Sequence, residues 1–201
     1  MTSIKVDVDQ VLNAAAVEYA HRGYDGVSMR DIAARAGTSA TALHYHFGSK
    51  DSLYREACGH AYETFILHVG QRLQQRSDDM TSPESLAGAM FDEWMADPTT
   101  LLLTDRDAVE ALTSPERWLT AAHYPRMLRL IGDVHRRFLG HDADDDLIFA
   151  FAAMVFGYCS LMGIELRSAR RIDGPTLAVD EAYQSRRRAA LTRFSSRLWQ
   201  L

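Results

Sequence analysis

Between Ser28 and Phe47 the chain carries two helix-sized segments, each too short to hold together alone in water. They must therefore be stabilised by packing on each other and on a neighbour. Ser28-Met29-Arg30-Asp31 has the pattern of a capping box, with an acid three residues after a serine. Ile32, Ala33 and Ala36 supply the apolar face of the first segment, and Ala33 is small enough to let a second helix approach closely. Gly37 admits the left-handed backbone of a tight turn, and Thr38 or Ser39 can cap the second segment. That segment, about Ser39 to Phe47, turns Leu43 and Phe47 inward, and Gly48 and Ser49 break it. Two short helices joined in this way form a helix-turn-helix.

The rest of the chain is also helical in its spacing. Val8, Val11, Leu12, Ala15 and Tyr19 predict an amphipathic helix ending near His21, with Asp7 or Asp9 as its N-cap and Gly23 as its stop. Lys50 begins a longer fourth helix. Breaks are expected at Arg76 to Pro83, Asp97 to Thr100, Thr113 to Pro115, Gly140 to Asp146 and Arg171 to Pro175. Strand-like alternation is nowhere sustained, so the expectation is an all-α chain of nine or ten helices. Two domains are expected: 1–54, a three-helix unit with the helix-turn-helix, and 55–201, a larger helical domain.

Charge separates these parts. The net charge is -5 overall, yet residues 1–50 hold five Lys/Arg (Lys5, Arg22, Arg30, Arg35, Lys50) and five acids (Asp7, Asp9, Glu18, Asp25, Asp31). The whole surplus of negative charge therefore lies beyond Lys50. A chain this acidic is not built to coat nucleic acid indiscriminately, but a neutral head on an acidic body suits a local DNA-binding face. Cys58 and Cys159 lack metal or redox spacing, and residues 1–9 lack the apolar run of a secretory signal. A cytoplasmic location without a membrane span is expected.

The outward positions of the second short helix are Ser39, Ala40, Thr41, His44, Tyr45 and His46. Hydroxyls, imidazoles and a phenol there can meet phosphates or base edges, whereas a merely solvated face more often carries Glu, Lys and Gln. The segment RGYDGVSMRDIAARAGTSATALHYHFGSKDSLYREAC resembles the N-terminal signature of the TetR family. The likeness runs through Arg22-Gly23-Tyr24, Arg30-Asp31-Ile32-Ala33, Ala36-Gly37-Thr38-Ser39, His46-Phe47, Lys50-Asp51 and Leu53, about a quarter of the chain. It implies a homodimer that binds operator DNA through this unit, usually as a repressor, and a C-terminal domain that binds a small-molecule effector. Residue by residue, it implies DNA contacts from Ser28, Arg30, Ser39, Ala40, Thr41, His44, Tyr45, His46 and Lys50. Two positions depart from the family pattern. His44 stands where most relatives carry Tyr, and Thr41 where Gly is frequent.

In the second domain, Leu147 to Arg167 is apolar on several sides, after Asp142, Asp144, Asp145 and Asp146. Such a helix must be buried on both faces, one in its own domain and one against a twin. The last helix, about Val179 to Leu198, sets Tyr183, Leu191, Phe194, Leu198 and Trp199 on what reads as one face. In the family the last two helices form the dimer interface. Met90, Trp94, Trp118, His123, Tyr124 and Phe156 are candidates to line a cavity for a lipophilic or aromatic molecule, although such stripes more often build core. No basic cluster favours a phosphate ligand, and no cofactor is expected.

An all-α enzyme is the competing class. The eight histidines do not fall at the spacings of helical metal sites, and no GxSxG, P-loop or GxGxxG occurs. A third reading keeps the DNA-binding dimer and drops the effector.

Overall fold

The computed structural model describes residues 7–75, 82–111, 120–142, 144–169 and 181–199. Among them lie nine helices and no strand: α1 (Val8–Arg22), α2 (Met29–Arg35), α3 (Ala40–Phe47), α4 (Lys50–Gln75), α5 (Pro83–Ala96), α6 (Thr99–Ala111), α7 (Thr120–Leu139), α8 (Asp145–Ala169) and α9 (Glu181–Leu198). The all-α architecture expected from the spacing is what the chain adopts. The expected breaks at Asp97 to Thr100 and Gly140 to Asp146 separate α5 from α6 and α7 from α8. Those at Thr113 to Pro115 and Arg171 to Pro175 lie outside the described residues.

The chain divides into two compact units, one of Met1–Phe65 with Leu102–His123, the other of Ile66–Leu101 with Tyr124–Leu201. The 54/55 division read from the sequence falls inside α4, which runs unbroken from Lys50 to Gln75. The first unit also takes in part of α6, because Leu103 packs into the core formed by α1 to α4. That core is built from Val11, Ala15, Tyr19, Ile32, Leu43 and Leu53, all essentially inaccessible to solvent.

The helix ends of the first unit follow local chemistry. Asp7 accepts from the Gln10 amide at 3.1 Å and caps α1. At the other end the Gly23 amide donates to Tyr19 O at 2.8 Å. Both halves of the Ser28/Asp31 capping box are present. The exit from α2 is a Schellman turn, with Thr38 N donating to Ala33 O at 2.9 Å and Gly37 N to Ala34 O at 3.4 Å. Ser39 then caps α3 by accepting from Ala42 N at 3.1 Å. Ser49 opens α4 in the same way on Ser52 N.

In the second unit α5 packs along α9, and α8 packs on both. Phe151, Val155, Cys159 and Met162 form the buried stripe of α8, while Phe149, Leu161 and Ile164 are 55%, 64% and 51% exposed. Asp145–Ile164 has a mean hydropathy of 2.1, enough by length and composition to cross a bilayer. Here its buried stripe is used as core. On α9, Tyr183 and Leu191 are buried, as is Trp199 just beyond it, but Phe194 is 58% exposed. The single apolar face read from the sequence is thus divided by packing: Leu191 points into the unit, while Phe194, one turn on, is left outside it. Glu93 of α5 is buried and accepts from both His68 Nδ1 and Arg72 Nε of α4, each at 2.7 Å.

Candidate nucleic-acid interface

The surface of α3 is sorted by its caps. Leu43 and Phe47 are buried, so Thr41, His44, Tyr45 and His46 are left on the outside, with Tyr45 86% exposed. Ala40 is half-buried against the core of the unit. Tyr45 and His46 meet edge to face at 5.5 Å between ring centres. Neither ring is used to fill the core.

The two serines proposed as contacts also have structural tasks. Ser28 Oγ donates to Asp31 Oδ2 at 2.6 Å and accepts from the Asp31 amide, so its hydroxyl hydrogen is committed within the capping box. These bonds hold the Asp31 carboxyl below its ordinary pKa, the Ser28 side chain contributing most and the nearby Arg22 less. Ser39 Oγ accepts from Ala42 N, which leaves its hydrogen able to donate outward.

The cations divide in the same manner. Arg22 is paired with Glu18 at 3.1 Å and approaches Asp31 at 3.6 Å. Arg35 reaches the same Glu18 at 2.9 Å. One acid therefore absorbs two arginines and ties α1 to α2. Arg30 and Lys50 have no carboxylate partner among the described residues. Arg30 is exposed on α2. Lys50 Nζ lies 4.2 Å from the centre of the Tyr24 ring, where the aromatic face attracts the ammonium without neutralising it. Tyr24 is itself held by ring contacts with Tyr19 at 6.2 Å and Tyr54 at 5.0 Å. The unit thus commits Arg22 and Arg35 to its own architecture and leaves the charges of Arg30 and Lys50 unneutralised by any described carboxylate.

His44 is restrained as well as exposed. Its ring nitrogen Nδ1 lies 3.2 Å from Gly48 O, and the Gly48 amide donates to His44 O at 3.0 Å.

Sequence reasoning did not find Arg106. Its Nε donates to Ala20 O at 2.7 Å and its Nη2 to His21 O at 2.6 Å. These carbonyls belong to the last turn of α1, where the helix itself supplies no donors. A side chain at position 23 would also press on this guanidinium, since a Cβ there would sit 3.2 Å from Nη1. The only signal in the sequence was an arginine on a helix far along the chain.

The candidate cavity residues lie elsewhere. Met90 and Trp94 are 1% and 2% exposed, and Trp94 meets Phe156 edge-on at 6.0 Å between centroids. Trp118, His123 and Tyr124 are outside the residues whose side chains are described. A separate open groove of about 700 Å³ runs between α7 and α8, lined by Leu128, Arg129, Arg136, Asp145, Ile148 and Phe149 among others. Met90, Trp94 and Phe156, the candidate cavity residues whose side chains are described, do not line it. Among the described residues no group of three or more His, Cys, Asp or Glu is placed to hold a metal ion.

The family model described as bacterial regulatory proteins, tetR family, matches residues 11–57, the stretch that holds α2, α3 and the start of α4. Two relatives come from Mycolicibacterium smegmatis. The transcriptional activator FasR is 34% identical over 83 residues, 41% of this chain and 38% of its own length. The transcriptional repressor KstR2 is 37% identical over 81 residues, 40% of this chain and 38% of its own. The chain therefore matches well under half the length of these relatives. The likeness of fold extends further. A crystal structure from Rhodococcus sp., assigned to the TetR-family transcriptional regulators, superposes with a TM-score of 0.69 at 19% identity over 96% of this chain and 97% of that one.

Proposed function

Because the chain belongs to the TetR family of bacterial regulatory proteins, we propose that it is a homodimeric transcription regulator that binds operator DNA through α2 and α3. The observation that carries this reading is the sorting of charge on the first unit. Glu18 and Asp31 engage Arg22 and Arg35, whereas Arg30 and Lys50, on the helices either side of α3, make no ion pair among the described residues. Phosphate contacts from these two cations and from Ser39 and His46 set the register, and Thr41, His44 and Tyr45 meet the base edges. Selection of bound fragments from randomised duplexes tests the reading. Retention of no sequence above the non-specific level would overturn it.

The partner in the dimer is a second copy of this chain, joined through α8 and α9. Phe149, Leu161, Ile164 and Phe194 supply the apolar surface for it. Sedimentation at micromolar concentration should give twice the mass of the chain, and a monomer would refute the pairing.

The second unit is the effector domain, and the regulator is a cytoplasmic repressor released by a lipophilic or aromatic small molecule. The family resemblance carries this part of the reading: Met90 and Trp94 are packed out of solvent, with Phe156 against Trp94, and would have to part to admit such a ligand. Thermal scans against a diverse compound set test this. The absence of any shift in Tm would remove the effector and leave a DNA-binding protein controlled in another way.

A further inference from the structure

We propose that His44 reads a base amino group in the major groove, adenine N6 or cytosine N4, rather than contacting a phosphate; this rests on the reading of α3 as the groove helix. Gly48 sets the geometry. Its φ of +74° and ψ of -61° turn its carbonyl back toward α3, where it lies 3.2 Å from His44 Nδ1. Most side chains would be strained at that φ, so glycine is what permits the contact. A carbonyl oxygen can only accept, and the hydrogen of the pair must therefore sit on Nδ1.

That assignment fixes the other nitrogen. With Nδ1 carrying the hydrogen, the neutral ring presents Nε2 as a bare lone pair. His44 is exposed, on the same outward strip as Thr41 one turn earlier. Phosphate oxygens, guanine N7 and O6 and thymine O4 are all acceptors and offer Nε2 nothing. The donors on the major-groove edge are the amino groups of adenine and cytosine. A tyrosine hydroxyl, which can donate to a phosphate, is thus replaced by a group with the opposite role. Gly48 is the positioning residue, since the contact with its carbonyl sets the tautomer.

The test uses the full-length chain at pH 8, where free histidine is neutral. Bound duplexes selected from a random pool should show one position per half-site at which adenine or cytosine is enriched on the same strand. Replacing that base by its analogue without the amino group, purine for adenine or 2-pyrimidinone for cytosine, should weaken binding about three- to tenfold, the worth of one hydrogen bond. His44→Ala should bind both duplexes alike and lose the preference at that position only. His44→Gln, whose amide pairs with adenine N6 and N7, should restore a preference for adenine. If His44→Ala keeps the wild-type preference everywhere, with affinity unchanged or uniformly lowered, the proposal fails and His44 is a spectator or a phosphate contact. If the wild-type chain enriches no sequence, the DNA-binding reading fails first.

Discussion

Lys50 Nζ sits 4.2 Å over the ring of Tyr24, and no carboxylate among the described residues competes for it. The ring restrains the ammonium at the start of α4 while leaving its full charge available. Lys50→Ala should weaken binding to all DNA sequences alike. It should also lower the slope of log K against log salt by about one unit per bound protomer. A salt titration with an unchanged slope would show that Lys50 touches no phosphate. Tyr24→Phe keeps the aromatic face and should leave the slope as in the wild type.

Arg106 closes the C-terminal end of α1 by donating to Ala20 O and His21 O. Arg106→Ala should destabilise the first unit by about 2 kcal/mol, the scale of hydrogen bonds from a charged group. Arg106→Lys should recover only part of this, because an ammonium lacks the planar fork that spans two carbonyls. Denaturant unfolding followed by helical circular dichroism measures both. An Arg106→Ala midpoint equal to the wild type would make the contact energetically empty.

His135 is 1% exposed, and neither ring nitrogen has a hydrogen-bond partner of ordinary geometry among the described residues. Trp199 covers it at 4.6 Å between ring centres, and His141 lies edge-on at 5.6 Å. Burial holds its pKa below the ordinary histidine value, against the pull of the His141 backbone and of Asp144 and Asp142. The unfolded chain therefore takes up this proton before the folded one does. Stability from this site is fully present above the unfolded pKa near 6.5 and is lost as pH falls toward the folded value. Tm should drop between pH 7.5 and pH 5.5 in the wild type, and less in His135→Phe. Equal drops in the two proteins would remove His135 from the pH response.

Cys58 and Cys159 are both buried, and neither is in a disulfide. Burial pushes the Cys159 pKa up to about 12, so the nucleophilic thiolate is scarce at neutral pH. A thiol-specific reagent such as DTNB should label neither cysteine of the native chain within minutes, and both after unfolding in guanidinium. Rapid native labelling of Cys159 would contradict the packing of α8.

The segment from Ser28 to Phe47 was legible because its signals are local. The Ser28/Asp31 box, the Gly37 turn and the Ser39 cap each depend on residues three to five positions apart. The outward face of α3 could be read for the same reason, since two inward residues, Leu43 and Phe47, fix the rotation of so short a helix. Arg106 and Ala20 are 86 positions apart, and Glu18 meets Arg35 across 17. No periodicity encodes such pairings. On α8 and α9 the pattern put apolar residues on several sides, but only packing separates Phe151 and Leu191, which lie inside, from Phe149 and Phe194, which do not.

By itself, then, the sequence determined the helices, their caps and the chemistry offered by α3, because backbone hydrogen bonding and capping are settled within a turn or two. Only the tertiary structure decided which cations are already neutralised, which apolar faces lie open, and which nitrogen of His44 points outward. Each of these depends on groups that are distant along the chain, or on the direction of a carbonyl that has no residue code of its own.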